Sequence, residues 1–289
     1  MSIFSLLEEL QLTSRETRTL YSTGTRDVPS LPVYRDRITE LVYINDYYVG
    51  DEEYKLDTYR TQKFSSFGKP EFDEVRDNLR RVADTAQFYS GKDILDFGCG
   101  NGRFLKAVQH QAKSITGIEL SSPARELLKA SDIKCLQSLD ECGEGQFDTC
   151  FLWHVFEHLP NPIDCLKDIK RVLKPGGRLL LEVPHARDFL LINLNSEKFK
   201  KHTLWSQHLI LHTRLSLTSM LATAGFNDIM IKGIQRFPLS NHLNWLIAAA
   251  PGGHVGSLSF LSDSDLNCEY EKVLNQIDAT DTLIASAVI

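Results

Sequence analysis

The stretch Ile94-Leu95-Asp96-Phe97-Gly98-Cys99-Gly100-Asn101-Gly102-Arg103-Phe104-Leu105 constrains this chain more than any other. An apolar run breaks into three alternating glycines and resumes as a helical pattern. Glycines at that spacing let the backbone turn sharply and come against a ligand that a Cβ would exclude. The pattern is GxGxG rather than GxGxxG. Downstream, Glu119 closes a second apolar run, Ile115-Thr116-Gly117-Ile118-Glu119-Leu120. A carboxylate there can accept hydrogen bonds from both hydroxyls of an adenosine ribose. Turn and acid together point to a nucleotide-like ligand at the ends of two strands.

The rest of the chain repeats the alternation. Strands are expected at 93–97, 114–119, 134–136, 147–152 and 178–183. Helices are expected from Pro70, through Phe72, Val75, Leu79, Val82, Ala83 and Ala86, to Ser90-Gly91, and at 102–110, 123–130 and 163–173, the last stopped by Lys174-Pro175-Gly176-Gly177. Strands spaced by helices imply an α/β fold with a Rossmann-like, doubly wound, mostly parallel sheet. A helix at 215–224, a strand at 228–233 and a returning strand at 282–288 complete seven strands. Four regions result: an irregular N-terminal arm or lid over 1–68, a ligand-binding core over 69–233 with a His-rich substrate-side segment at 185–214, an inserted cap over 234–281, and a final core strand over 282–289. The arm carries Tyr43, Tyr47, Tyr48, Tyr54 and Tyr59.

Composition narrows the functional classes. With 42% hydrophobic and 24% charged residues, the 289-residue chain can bury a sizeable core. No apolar run approaches the ~20 residues of a membrane span. The acidic start, MSIFSLLEELQ, lacks the basic region of a signal peptide, so a cytoplasmic location is expected. A net charge of −6 without a dense Lys/Arg run argues against long nucleic acid as partner and favours a small substrate. The six cysteines include no CxxC pair, which argues for reduced thiols rather than a thiolate metal site.

In these motifs the chain resembles class I S-adenosylmethionine-dependent methyltransferases. The family's (D/E)-x-x-x-G-x-G-x-G is read here as Asp93 or Asp96 through Gly98, Gly100 and Gly102. Further likeness lies in Phe147-Asp148, in His154-Val-Phe-Glu157-His158-Leu159 and in Leu173-Lys-Pro-Gly-Gly177, over roughly 70–233. The resemblance implies S-adenosylmethionine as cofactor and S-adenosylhomocysteine as product. By that likeness, Asp96 and the Gly98-Cys99-Gly100-Asn101-Gly102 turn face the methionine part, Glu119 with Leu120 the ribose, and Ser138-Leu139-Asp140 the adenine. Trp153, closing the fourth strand, joins the implied cofactor set. Where the family often has Gly-Asp, this chain has Leu139-Asp140.

Methyl transfer to a hydroxyl requires that a base remove its proton, and histidine is the side chain best tuned for this near neutrality. Candidates are His154, with Glu157 and His158 at i, i+3 and i+4 spacing, His185 after the fifth strand, and His208, which pairs with His212 at i, i+4. Glu157 and His158 could equally orient a short helix by capping backbone groups. Similar quinone-pathway methyltransferases carry Glu, Glu and His in the first of these stretches and can hold a divalent cation. His154 takes the first position here, so the metal is left unassigned. The flanks are similar to methyltransferases of bacterial surface-polysaccharide and nucleotide-sugar loci, which implies a sugar or nucleotide-sugar acceptor. Trp205, Phe237, Asn241, His242, Trp245 and His254 would suit one. Rival readings are a nicotinamide-dependent oxidoreductase, which would prefer GxGxxG, and a non-catalytic nucleotide-binding module. A nucleic-acid base methyltransferase would show Asn/Asp-Pro-Pro-aromatic where this chain reads Leu152-Trp153-His154-Val155.

Overall fold

The structure, a computed structural model, describes residues 2–55 and 70–289, with only the backbone for 70–73. Tyr59 and the end of the expected arm lie outside the described residues, as does the side chain of Phe72. Eleven strands are described: β1 (Arg18–Ser22), β2 (Val33–Asp36), β3 (Val42–Ile44), β4 (Asp93–Phe97), β5 (Ser114–Ile118), β6 (Lys134–Leu136), β7 (Phe147–Trp153), β8 (Leu173–Pro184), β9 (Ile210–Leu211), β10 (Asn227–Ile234) and β11 (Thr282–Val288).

Seven of them form one sheet in the order β10-β11-β8-β7-β4-β5-β6. Strands β4 to β8 are parallel, whereas β11 runs antiparallel to both β8 and β10. The central strands are apolar on both faces because helices cover both. Successive residues accordingly enter different clusters: Leu152 packs with Leu95, Leu179 and Leu181, while Phe151 packs with Ile94, Phe104 and Leu180. Helix Pro162–Val172 shows the matching period, burying Ile163, Leu166, Ile169 and Val172. Connections leave β4 in one direction to β5 and β6 and return on its other side to β7. That reversal opens a crevice at the carboxyl ends of β4 and β7, where ligands of doubly wound sheets bind.

Two expectations change. The N-terminal region is not irregular: β1, β2 and β3 form an antiparallel sheet closed by β9, which pairs Val42 with Leu211 and Tyr43 with Ile210. All three residues of β3 are buried, so no polar alternation marks it in sequence. Ile3, Phe4, Leu7, Leu12, Leu41 and Tyr43 join the main core. Secondly, Lys174-Pro175-Gly176-Gly177 does not precede a separate strand. Strand β8 begins at Leu173 and runs through it, with Gly176 at φ +74° and a register shift between Phe147 and Thr149. The long connection after β10, expected as an inserted cap, carries helices Leu239–Ala248 and Ser264–Gln276 before β11 enters the sheet.

Candidate active site

The glycine turn follows β4 directly. Gly98, Gly100 and Gly102 all have positive φ, +73°, +55° and +66°, which side chains rarely adopt. A Cβ on Gly98 would meet Val155 Cγ2 at 2.5 Å, and one on Gly102 would meet Leu128 Cδ2 at 2.1 Å. Glu119, just past β5, reaches back to the turn. Its Oε2 accepts from the Gly100 N–H at 2.7 Å and its Oε1 from the Ser121 N–H at 2.8 Å. Asp96, on the last turn-ward part of β4, is buried, and its Oδ1 has no hydrogen-bond partner. Burial pushes its pKa up to about 8, opposed by Arg81 and aided by Glu119.

Asp96, Gly98, Gly100 and Glu119 line a cleft of about 1130 Å³, whereas Gly102, packed against Leu128, is not part of its lining. Trp153 forms part of its wall, stacked on Phe151 at 5.4 Å and covered by the Arg81 guanidinium at 5.0 Å. Beyond Trp153 the chain turns at His154, whose φ of +56° takes it out of any helix. The expected i, i+3, i+4 helical face therefore does not form, and only Phe156–His158 makes a 3-10 turn. His154 Nδ1 lies 3.3 Å from Glu157 Oε1 and its Nε2 lies 3.1 Å from Glu182 Oε1. Glu182 is buried and held by Arg80 at 2.7 Å and Arg81 at 2.5 Å. Burial opposes its ionisation, yet Arg81, His154 and Arg80 keep its carboxyl well below the ordinary range.

Glu157 is buried as well. Burial alone would raise its pKa, but the His154 hydrogen bond and the fields of His158, His154 and His208 bring it to about 2. His158 donates from Nδ1 to the Gln207 carbonyl at 2.8 Å, so the neutral ring carries its lone pair on Nε2, 3.8 Å from Glu157 Oε1. The His208 ring stands 5.0 Å from that of His158. Glu157, His158 and His208 thus offer three ligand atoms within 4.8 Å of one another, a set suited to a divalent cation.

A family model for a methyltransferase domain matches residues 67–231. The chain belongs to the S-adenosylmethionine-dependent methyltransferases. Among curated proteins, the methyltransferase is 28% identical over 140 residues to the ubiquinone biosynthesis O-methyltransferase of Thiobacillus denitrificans, covering 44% of this chain and 60% of the relative. It is 25% identical over 171 residues to the protein of that name from Idiomarina loihiensis, covering 52% and 67%. The chain thus spans about three-fifths to two-thirds of the length of these relatives. A methyltransferase of Archaeoglobus fulgidus shares the fold at TM-score 0.53 and 18% identity, over 81% of this chain and all of that one. The glycine cradle, the Glu119 carboxylate beside it and the partnerless Asp96 Oδ1 fit S-adenosylmethionine, whose ammonium group can donate to a buried carboxyl.

Several sequence expectations are placed differently in the methyltransferase. Asp93 sits at the far end of β4, paired with Lys113 and Lys174, which hold its carboxyl well below the usual range. Asp96 is the acid of the site. Ser138, Leu139 and Asp140 are absent from the cleft lining: Ser138 caps a 3-10 turn, Leu139 enters the core and Asp140 faces solvent. Leu120 and Cys99 do line it, with Cys99 Sγ 3.8 Å from Cys135 Sγ. His185 is buried away from the cleft, donating from Nδ1 to the Thr280 carbonyl at 2.9 Å, and burial lowers its pKa to about 4. His212 stacks on Phe156 in the core, parted from His208 because 210–211 are strand rather than helix. Of the aromatic and amide candidates, Trp205, Phe237, Asn241, His242 and Trp245 line the cleft and His254 does not.

Sequence reasoning missed Arg81, Glu182 and Asp188. A lone acid inside the apolar run Leu179-Leu-Leu-Glu182-Val183 is the signal for Glu182, since a charge there must be paired. Asp188 lines the cleft, and burial together with Asp281 raises its pKa to about 8.

Proposed function

We propose that this methyltransferase acts on a hydroxyl oxygen of a small molecule held beside His158, in the half of the cleft formed by Trp205, His208, Phe237 and Trp245. The observation that carries this reading is the His158–Glu157 arrangement facing the same cleft as the glycine turn. S-adenosylmethionine, when bound, supplies an electrophilic methyl group. Gly98, Gly100, Glu119 and Asp96 bind and orient it; the tight backbone approach and the two carboxyls set its position. His158 Nε2 takes the acceptor proton. The Gln207 carbonyl fixes the tautomer that makes Nε2 the acceptor, and ionised Glu157 lies where it stabilises the imidazolium. His154 has both ring nitrogens facing carboxylates and therefore steadies Glu157 rather than serving as base.

For the acceptor we propose a sugar or nucleotide sugar, supported by the aromatic walls and by the Asn241 and His242 side chains that line the cleft. A second reading, a phenolic ring, is favoured by the relatives' name. A panel of nucleotide sugars, free sugars and catechols, incubated with S-adenosylmethionine and followed by mass spectrometry, tests both. A one-methyl gain on a sugar supports the first, on a catechol the second, and on none of the panel refutes both. A further reading, in which Glu157, His158 and His208 hold a divalent cation that binds the hydroxyl, rests on their three converging ligand atoms. Turnover lost to chelator and restored by added metal would establish it.

A further inference from the structure

Four arginines line the cleft: Arg26, Arg81, Arg103 and Arg236. Three are ion-paired, Arg81 with Glu182, Arg103 with Glu74 and Arg236 with Asp77. Arg26 differs. Among the described residues its side chain meets the His202 carbonyl at 3.3 Å and the face of Trp205 at 4.6 Å, and it forms no ion pair. The acid next to it in sequence, Asp27, acts on Arg26 through its field only and accepts instead from the Ser206 N–H and hydroxyl and from Thr25.

The position is built rather than incidental. Thr25 accepts in its side chain from the Val28 N–H and closes a turn, while the Arg26 N–H donates to the Leu204 carbonyl at 2.8 Å. Together with the Asp27–Ser206 bonds, this clamps the arm onto the segment carrying Trp205. Trp205 in turn stands 5.7 Å from His158 and 5.3 Å from His208, ring centre to ring centre. An exposed guanidinium is therefore fixed one indole away from the proposed base. Guanidinium stacked on an aromatic face keeps its edge donors available, and those donors match phosphate and carboxylate oxygens.

We infer that Arg26 binds an anionic group, a phosphate or a carboxylate, carried by the methyl acceptor. The inference rests on the proposed methyl transfer to an acceptor beside His158 and sharpens its substrate class. A ligand with a hydroxyl at His158 and an anion at Arg26 spans Trp205, as a sugar phosphate or an acidic ring does.

Because Arg26 covers Trp205, anion binding should change indole fluorescence. The full chain would be titrated with inorganic phosphate, glucuronate and uncharged glucose at constant ionic strength, with and without S-adenosylhomocysteine. The inference expects saturable changes with phosphate, glucuronate or both, weakened at least about tenfold in Arg26→Gln, which is ~1.4 kcal/mol. Arg26→Lys should keep part of the affinity, and Trp205→Phe should remove the signal. Saturation by phosphate alone assigns a phosphate acceptor, and by glucuronate alone a carboxylate one. Equal curves in parent and Arg26→Gln, or no saturation by either anion below about 10 mM, would overturn it. S-adenosylhomocysteine affinity in the same samples tests the methyltransferase reading separately and verifies that each variant is folded.

Discussion

At the proposed cofactor end of the cleft, Asp96, Gly98, Gly100 and Glu119 come from two adjacent parallel strands and the turns that follow them. At the proposed acceptor end, Arg26 comes from the arm, His158 from the turn after β7, Trp205 and His208 from the segment joined to β9, and Phe237 and Trp245 from the connection between β10 and β11. The first half is a local device, made by short-range backbone geometry and one carboxylate. The second exists only because β3 pairs with β9 and β11 returns to the sheet. Cofactor binding should therefore respond to changes in one stretch of chain, while acceptor chemistry should respond to residues scattered along it.

The contrast is tested most severely by His158→Ala. Turnover should fall by ~10²- to 10⁴-fold, the usual contribution of a positioned acid or base, with calorimetric S-adenosylhomocysteine affinity unchanged. Loss of cofactor affinity in parallel would erase the division between the halves. In the opposite sense, Glu119→Ala should weaken the cofactor by ~1.5 to 3 kcal/mol, roughly ten- to a hundredfold, because hydrogen bonds to a charged acceptor are lost. A deoxyribose analogue of S-adenosylhomocysteine should lose much less on this variant than on the parent. Equal losses on both proteins would remove Glu119 from the ribose.

His154→Ala sharpens the assignment of the base. If His154 only steadies Glu157, turnover should drop by about tenfold and keep its rise with pH. A drop as deep as that of His158→Ala, with the pH dependence gone, would transfer the role of base to His154. A separate effect concerns stability. Burial raises Asp96 from 3.8 to about 8, so the folded protein binds its proton more tightly than the unfolded chain does. The stability this contributes is complete below pH 3.8 and is lost as the pH rises through about 8. Melting temperatures of Asp96→Asn, measured from about pH 4 to about pH 8, should therefore gain on those of the parent as the pH rises. Parallel curves would show that Asp96 ionises normally.

Among the described residues, no helix is long and apolar enough to cross a membrane. The acceptor is in any case decided within the cleft, and there the histidines show how far sequence carries. In one dimension His154 and His185 look equivalent, each following an expected strand, while His158 and His208 stand beside them in polar stretches. In three dimensions His185 is hydrogen-bonded into the interior, His154 is shared between two carboxylates, and only His158 and His208 meet on the cleft wall.

The strand–turn–helix around Gly98 to Gly102, the acid after β5 and the alternation of apolar segments were legible in the amino-acid order. Each depends on backbone freedom or on hydrophobic periodicity within a few residues. The arm sheet was not, because β3 is buried throughout and its partner β9 is two residues long and far along the chain. Nor was the pairing of His154 with Glu182, which lies on β8 and is itself held by Arg81 from another element. Pairing of distant strands and burial of opposite charges against one another are properties of packing, and only the tertiary structure decides them.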